Sequence, residues 1–437
     1  MSAGPQVLGP LEYLHSLQQF GIKLGLENIR TICTALEHPE RAFHGVHVAG
    51  TNGKGSVTAM VDSVLRASGY RCGRYTSPHL IDLTERFVVD GQQVDDRSLA
   101  DVVGAIRDLV IDLRSQGRLP VEPTFFEVTT AAAFELFRRA GVTLGVCEVG
   151  LGGRLDATNV ISPLATAITS IALDHERHLG TTLAEIAFEK AGILKTDVPV
   201  VVGDLHQQAA SVVRQVAAER GAPIIWAGDG VCIENLVSGS DGSRLGVLRT
   251  PSQEYIDLYI ALPGRHQIAN AIVAIRVVEA LRAQGVSVAS TAIRQGLAQV
   301  QWPGRLQQLR LDEGRELLLD AAHNPAGALT LAAFLADRGF PRRPLIFAAM
   351  HDKEVRGMLA ALAPLSSAIV VTRTSASRST ELDILARLAR DAAGGIPVTC
   401  AASPSEALDL AWSISPSVVA AGSIFLVGDL LRLVRRP

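Results

Sequence analysis

Cysteine is scarce in this chain of 437 residues, and its few cysteines follow no recognisable spacing. There are five, with no Cys-x-x-Cys pair among them: Cys33, Cys72, Cys147, Cys232 and Cys400. A scattered, odd set argues against a disulfide framework and against a zinc site. We therefore predict a protein of a reducing compartment, the cytoplasm.

The chain also lacks an excess of positive charge, a secretion signal and an unbroken apolar run. Its net charge of -3 provides no basic field for nucleic acid. Residues 1–17 show no basic segment followed by an apolar one, so we expect no signal peptide. Glycine and polar residues interrupt the most apolar stretch, residues 418–434, which predicts a buried strand and a short helix instead of a membrane span.

Apolar residues make up 48% of the chain and charged residues 19%, a balance typical of globular proteins. The length predicts two or three domains. Apolar runs of strand length alternate with helical patterns, which is typical of α/β folds with doubly wound parallel sheets. The predicted strands are 45–50, 144–150, 165–173, 198–204, 316–322, 344–350, 368–374 and 423–428.

Two segments interrupt this alternation of predicted strands and helices. Residues 228–262 carry turn residues between short alternating runs and predict a small antiparallel section at the edge of the first domain. A helical pattern ends near Gln299, and Pro303 and Gly304 follow it in the segment QWPGR. We therefore predict a domain boundary between residues 299 and 300.

A glycine-rich loop joins the first predicted strand to a helix. Its residues are Gly50, Thr51, Asn52, Gly53, Lys54, Gly55 and Ser56. Glycines let backbone N–H groups approach phosphate oxygens, Lys54 would neutralise the β- and γ-phosphates, and Ser56 would hold Mg²⁺. The alternative is a turn that binds nothing. The Lys and Ser positions within a strand–loop–helix context favour a phosphate site.

The spacing of this loop differs from the ordinary Walker A pattern, because only two residues separate Gly50 from Gly53 and Gly55 stands before Ser56. It resembles the ATP loop of the Mur ligase superfamily. Polar motifs follow several other predicted strands, and in open parallel sheets ligands bind outside those strand ends.

Further motifs make the chain similar to the folylpolyglutamate synthase/dihydrofolate synthase family, in order and over about 400 residues. They include FGIKLGLENI (20–29), HVAGTNGKGSV (47–57), YTSPHL (75–80), EVGLGGRLDATN (148–159), EIAFEKAGILK (185–195), DAAHNPAGA (320–328) and MHDKE (350–354). The resemblance implies a P-loop ATPase domain with a mostly parallel sheet over residues 1–299. It also implies a smaller, C-terminal Rossmann-like α/β domain over residues 300–437 that takes part in glutamate binding.

The resemblance implies ATP and two Mg²⁺ ions, held by Ser56, Ser77, Glu148 and His175. Glu148 directly follows a buried apolar run, where a charge without a partner is costly. Carboxylate oxygen suits Mg²⁺. From the residues alone, His175 is better explained as a hydrogen-bonded structural histidine, and only the resemblance makes it a metal ligand.

Lys190 matches a lysine that is often carbamylated in this family and in Mur ligases, which would make it an anionic partner of the Mg²⁺ ions. Capturing CO₂ requires a neutral amine, which burial and a nearby cation favour. The alternative is an exposed helical lysine paired with Glu185 or Glu189. The catalytic residues expected from the resemblance are Lys54, Glu148, His175, Lys190 and His323.

The resemblance assigns nucleotide contacts in the second half of the chain. Asn270 would contact adenine, Arg305 the phosphates and Asp320 the ribose. His323 would lie near the γ-phosphate and the incoming glutamate. Ala321 departs from the common motif DGAHNP, and the segment 372–382 departs from the family pattern, which leaves what binds there open.

The matching substrate positions are Leu24, Thr124, Phe126, Asp156, Ala157 and Ser423. A flat heterocycle favours an aromatic face and a carboxylate at its amino-pyrimidine edge, which Phe126 and Asp156 would provide. Plain core packing is the alternative for Phe126. Ser423 would lie near the glutamate, and RLDATN resembles the bifunctional form that accepts dihydropteroate as well as reduced folates.

We therefore expect a monomeric ATP-dependent ligase that joins L-glutamate to dihydropteroate and to folates through an acyl phosphate, without nucleic-acid or membrane partners. A monofunctional folylpolyglutamate synthase is the nearest alternative. A muramyl-peptide ligase would need a UDP-binding domain before the loop, for which 49 residues are too few. A P-loop GTPase switch would need an NKxD-type motif, which does not occur.

Overall fold

The computed structural model describes residues 8–21 and 23–435. The first seven residues of the segment in which we expect no signal peptide lie outside this range. Within it, no helix is both long and apolar enough to cross a membrane.

The first large sheet has eight strands in the order β4-β3-β2-β5-β1-β6-β7-β8. All neighbours are parallel except the β2–β3 and β3–β4 pairs at one edge. The strands are β1 (His44–Ala49), β2 (Cys72–Tyr75), β3 (Phe87–Val89), β4 (Gln92–Gln93), β5 (Leu144–Glu148), β6 (Pro163–Ile168), β7 (Val200–Val202) and β8 (Ile224–Trp226).

Helices cover both faces of this sheet, which explains why its central strands are apolar on both sides. They are α1 (Pro10–Ser16), α2 (Glu27–Ala35), α3 (Lys54–Ala67), α4 (Asp96–Ser115), α5 (Phe125–Arg139), α6 (Glu176–Leu179), α7 (Leu183–Ala191), α8 (Gln207–Arg220), α9 (Arg265–Ala283) and α10 (Ser290–Gln299). Helices α3, α9 and α10 pack in one apolar cluster, and α1, α2, α4 and α5 pack in another.

A second, antiparallel sheet confirms the prediction for residues 228–262. It consists of β9 (Cys232–Ser238), β10 (Ser243–Arg249) and β11 (Glu254–Ile260). Its inner face packs on α9 and α10 and extends the apolar core.

The third sheet has six strands in the order β12-β13-β17-β14-β15-β16, and only β12 is antiparallel to its neighbour. The strands are β12 (Gln307–Arg310), β13 (Glu316–Leu319), β14 (Arg343–Phe347), β15 (Ser366–Val371), β16 (Val398–Cys400) and β17 (Ser417–Ala421). Around them lie α11 (Pro325–Asp337), α12 (Val355–Leu362), α13 (Leu382–Ala392), α14 (Pro404–Ile414) and α15 (Ile424–Val434).

One predicted strand is wrong. Residues 423–428 belong to helix α15, and the strand is β17, which ends at Ala421. Gly422 leaves the strand at φ +104°, and Ser423 caps the helix by accepting a hydrogen bond from Phe425 N–H (3.2 Å). Within this segment only Ser423 is polar, and the polar residues of the helix, Asp429 and Arg432, come after it. The apolar run alone therefore shows no helical period.

The predicted strand 165–173 is too long, because β6 ends at Ile168. The following residues leave the sheet and pass beside the glycine-rich loop. The segment after Ser77 also leaves the sheet, and Leu80 and Ile81 pack on the apolar cluster that contains α15. The segment after β6 and the segment after Ser77 therefore connect the first sheet to the third.

Candidate active site

The glycine-rich loop connects β1 to α3 and is held by the segment that follows β6. Thr51 N–H donates to Ser170 O (2.7 Å), and Asn52 N–H donates to Ser170 Oγ (3.0 Å). Thr169 Oγ1 donates to Asn52 O (2.6 Å). The backbone of the loop is therefore fixed from one side, and residues 51–56 line a cleft.

Two glycines of the loop have backbone angles that favour glycine, φ +148° at Gly50 and +86° at Gly53. Gly53 is the N-terminal cap of α3, so Lys54 begins the helix. Lys54 Nζ donates to Thr51 O (3.2 Å). A positive helix end, free N–H groups and a lysine thus converge on one point, which is suited to a phosphate.

Glu148 ends β5, next to β1 in the sheet, and is 5% exposed. Its Oε2 accepts a hydrogen bond from Ser77 N–H (3.2 Å). Burial raises the pKa of Glu148, and the charges of Lys54, Arg305 and Arg86 act in the opposite direction. The carboxylate therefore lies among cations at the loop.

Asp174 and His175 follow β6 and meet residues from the third sheet. Lys353 Nζ lies 2.6 Å from Asp174 Oδ1 and 3.3 Å from His175 Nε2. His323 Nε2 lies 3.6 Å from Asp174 Oδ2, to which Asn324 Nδ2 donates (3.1 Å). Burial acts to raise the pKa of Asp174, but Lys353 and the two histidines outweigh it and lower this pKa.

The same surroundings keep both histidines neutral at pH 7. Burial, assisted by the charge of Lys353, lowers the pKa of His175 to about 4 and that of His323 to about 4. His323 Nδ1 lies 2.9 Å from Ala321 O, so Nδ1 carries the proton and Nε2 is an acceptor.

Lys190 is 5% exposed and lies in α7 beneath the loop, where its Nζ donates to Gly50 O (2.8 Å). The alternative of an exposed, paired lysine is wrong, because Glu189 pairs with Arg154 (2.8 Å) and Glu185 caps α7. Burial, followed by the charge of Lys54, lowers the pKa of Lys190 to about 7. A substantial neutral fraction is therefore present at physiological pH.

One cleft of about 660 Å³ joins these groups. It is lined by every predicted site residue except Gly50 and Lys190, which lie behind its surface. From the third sheet, Asp320 Oδ1 and Oδ2 accept hydrogen bonds from the N–H groups of Ala322 and Leu306 (both 2.9 Å). Burial raises the pKa of Asp320.

The substrate positions form the wall beyond Glu148. Phe126 stacks on Tyr75 with ring centroids 6.1 Å apart, so it belongs to the core as well as to the cleft. Thr124 caps α5, and Asp156 caps the short 3₁₀ helix Ala157–Val160. Leu24 is 41% exposed at the rim.

The predicted metal residues fit one Mg²⁺ better than two. Among residues 8–21 and 23–435, no three His, Cys, Asp or Glu side chains form a group that could hold a metal. Glu148 has one backbone donor and lines the cleft with the hydroxyls of Ser56 and Ser77, which suits an ion that takes most ligands from phosphates and water. His175 Nε2 instead faces the ammonium of Lys353.

Several residues that line the cleft or lie beside it were not among the predicted site residues. Lys353 and Asn324 lie within motifs of the resemblance, MHDKE and DAAHNP, which is the signal that could have identified them. Asn52 and Asn324 exchange side-chain hydrogen bonds (3.2 and 3.0 Å) that join the loop to α11. Gln267 Nε2 donates to Ser56 Oγ (3.2 Å), and Gln267 lies in a further motif of the resemblance, PGRHQIANA (263–271).

Two family models match the chain in order. The Mur ligase middle domain matches residues 48–278, and the Mur ligase glutamate ligase domain matches residues 304–424. Together they include the glycine-rich loop, Glu148, Asp174 and His323. The chain belongs to the Mur ligase family, and it is an ATP-dependent ligase.

Individual proteins similar in sequence indicate which group of Mur ligases this chain resembles. The dihydrofolate synthase/folylpolyglutamate synthase of Mycobacterium tuberculosis is 37% identical over 403 residues, which is 89% of this chain and 82% of that protein. A probable bifunctional folylpolyglutamate synthase/dihydropteroate synthase of Haloferax volcanii is 34% identical over 96% of this chain. This chain spans about half, 49%, of that longer protein.

Solved structures of proteins from the same group are similar to this chain over nearly its whole length. Folylpolyglutamate synthase of Mycobacterium tuberculosis, complexed with ADP and AMPPCP, has a TM-score of 0.91 at 34% identity, covering 98% of this chain and 99% of that one. FolC of Escherichia coli, in complex with DHPP and ADP, has a TM-score of 0.85 at 29% identity, covering 99% of both chains. Within the Mur ligases, this chain belongs to the dihydrofolate synthase/folylpolyglutamate synthase group.

Proposed function

We propose that this chain ligates L-glutamate to dihydropteroate and to the γ-carboxyl group of reduced folates, with ATP as the energy source. The observation that carries this is one continuous cleft, which joins a phosphate loop to a wall containing Phe126 and Asp156. Such a cleft suits a flat heterocycle whose distant carboxylate reaches the γ-phosphate. The FolC structure complexed with DHPP and ADP supports the same pairing of ligands.

The chemistry requires activation, because a carboxylate is a poor electrophile for an amine. A carboxylate oxygen attacks the γ-phosphorus, and ADP leaves. The amino nitrogen of glutamate then attacks the acyl carbon, inorganic phosphate leaves, and the nitrogen loses a proton. Phosphoryl transfer depends on charge neutralisation and alignment, which Lys54 and Arg305 provide in the cleft.

His323 is suited to the second step. Its neutral ring offers Nε2 as an acceptor toward the incoming amine, and its Nδ1 contact with Ala321 O holds the ring orientation. Ser423, at the start of α15, would bind a carboxylate of glutamate together with that helix end. Asn270 and Asp320 would bind adenine and ribose.

The second Mg²⁺ ion expected at His175 does not fit this geometry, because His175 Nε2 faces the ammonium of Lys353 (3.3 Å). One Mg²⁺ would be held by Ser56, Ser77 and Glu148. When bound, it supplies neutralisation of the phosphate charge. Glu148→Gln keeps the shape of the side chain and removes its charge, so we expect weaker Mg²⁺ binding in calorimetric titrations with a nucleotide analogue. Unchanged Mg²⁺ affinity would remove Glu148 from the ligand set.

Lys190 is proposed to be carbamylated, since its buried amine has a pKa lowered to about 7 and can capture CO₂. The carbamate would place a negative charge behind the loop, beside Gly50. A carbamate signal in the ¹³C spectrum with labelled bicarbonate, lost in Lys190→Met, is the expected result. The same spectrum for both proteins would contradict carbamylation.

The domain boundary at 299/300 is proposed from the separation of the third sheet from the other two. A monomer is proposed because one chain supplies every residue that lines the cleft. The five free cysteines support the cytoplasm as the compartment.

The deciding experiment measures ADP release with ATP, Mg²⁺ and glutamate, comparing dihydropteroate with tetrahydrofolate. Turnover with both is the expected result. Turnover with tetrahydrofolate alone would establish the monofunctional alternative, and turnover with neither acceptor would overturn the proposal.

A further inference from the structure

A fully buried histidine lies next to the proposed pterin wall and has no role in the chemistry above. His47, in β1, is 0% exposed, and its Nε2 lies 2.8 Å from Thr158 Oγ1. Its Nδ1 is buried and has no hydrogen-bond partner. Burial, with a contribution from the charge of Lys195, lowers the pKa of His47 to about 3, so the ring is neutral.

The directions of the hydrogen bonds follow from what each group can donate. Thr158 Oγ1 carries one proton and contacts Asp156 Oδ1. Burial raises the pKa of Asp156, whereas hydrogen bonds from Thr158 and from Leu151 N–H stabilise its ionised form, which can only accept. The Thr158 hydroxyl therefore donates to Asp156, and its oxygen accepts from His47 Nε2–H. This order fixes the tautomer of His47, since the proton must be on Nε2 and not on Nδ1.

These hydrogen bonds determine which carboxylate oxygen of Asp156 can accept a further hydrogen bond from a ligand. Oδ1 accepts from both the backbone N–H of Thr158 (3.0 Å) and its hydroxyl. Oδ2 accepts from Leu151 N–H (2.8 Å). A carboxylate oxygen has about two acceptor sites, so Oδ1 is occupied and a ligand donor must approach Oδ2.

We propose that His47 is a positioning residue that acts through Thr158 to hold the Asp156 carboxylate oriented for the amino-pyrimidine edge of the pterin substrate. The inference rests on the proposed pterin role of Asp156. Because β1 continues into the phosphate loop, the strand that positions this carboxylate also leads to the ATP site. His47 therefore contributes to recognition of the pterin substrate and does not merely fill space in the core.

Paired variants test each contact. Thr158→Val keeps the shape and removes the hydroxyl, whereas Thr158→Ser keeps the hydroxyl. His47→Leu removes the donor, whereas His47→Gln keeps an N–H near the position of Nε2. We expect the KM for dihydropteroate to rise about tenfold, equivalent to about 1.4 kcal/mol, in Thr158→Val and His47→Leu. The KM for ATP should stay within about twofold, and the Ser and Gln variants should recover most of the pterin affinity.

A purely structural role predicts a different pattern, in which melting temperature falls while the KM for dihydropteroate is unchanged, and that pattern would overturn the proposal. The ¹⁵N spectrum of the wild-type protein gives a test that needs no variant. An Nε2–H tautomer of His47 is expected, and an Nδ1–H tautomer would refute the hydrogen-bond order. If the wild type does not turn over dihydropteroate, the proposed function fails. Normal wild-type turnover with an unaffected Thr158→Val variant defeats this inference alone.

Discussion

Gly53 and Gly69 flank helix α3 with nearly the same backbone angle, φ +86° and +85°. Alanine at either position brings the same strain, about 1–2 kcal/mol for a left-handed residue. Their surroundings differ. A Cβ on Gly69 meets nothing within 4 Å, whereas a Cβ on Gly53 would lie 2.5 Å from Asn270 Oδ1. The two substitutions therefore separate backbone strain from a collision with the proposed adenine contact.

Gly53→Ala has to displace Asn270, whose Nδ2 donates to Gln267 Oε1 (3.0 Å), and Gln267 in turn contacts Ser56. Losing this alignment should raise the KM for ATP about tenfold, equivalent to about 1.4 kcal/mol. Gly69→Ala should leave that KM unchanged, while both variants unfold more easily by a similar amount. Steady-state ADP release and denaturant unfolding measure the two effects. Equal KM values for the two variants would refute the role given to Asn270.

Three other outcomes are expected. Lys54→Ala should lower kcat by about 100-fold or more with an unchanged circular dichroism spectrum, because phosphoryl transfer loses its main positive charge; undiminished acyl-phosphate formation would exclude that role. Asp156→Ala should impair turnover of dihydropteroate more than that of tetrahydrofolate, and equal losses in acceptor competition assays would count against a pterin-edge contact. The pKa of Lys190 is lowered to about 7, so the unfolded state binds more protons between pH 7 and the ordinary lysine pKa of 10.5. In bicarbonate-free buffer the wild type should therefore gain thermal stability relative to Lys190→Met as pH rises through that window, and a constant difference in melting temperature would contradict the burial of a neutral amine.

The sequence by itself determined those features whose causes are local. The glycine-rich loop could be predicted because glycine, lysine and serine stand between an apolar run of strand length and a helical pattern. Glu148 could be predicted as a strand-end carboxylate because it directly follows an apolar run of strand length. The small antiparallel sheet also followed from turn residues at short intervals. The prediction failed at residues 423–428, because this short run is apolar after Ser423 and the polar residues that reveal the helical period, Asp429 and Arg432, come after it.

Only the tertiary structure decided which distant residues meet. Asp174 and Lys353 are 179 residues apart in sequence, and their 2.6 Å contact depends on how the first and third sheets face each other. The burial of Lys190, and with it the low pKa of its amine, depends on packing beneath the loop. Neither has a local pattern, because sheet order and desolvation are properties of the whole fold. The sequence determines the groups that can do chemistry, and the packed structure determines their partners and protonation states.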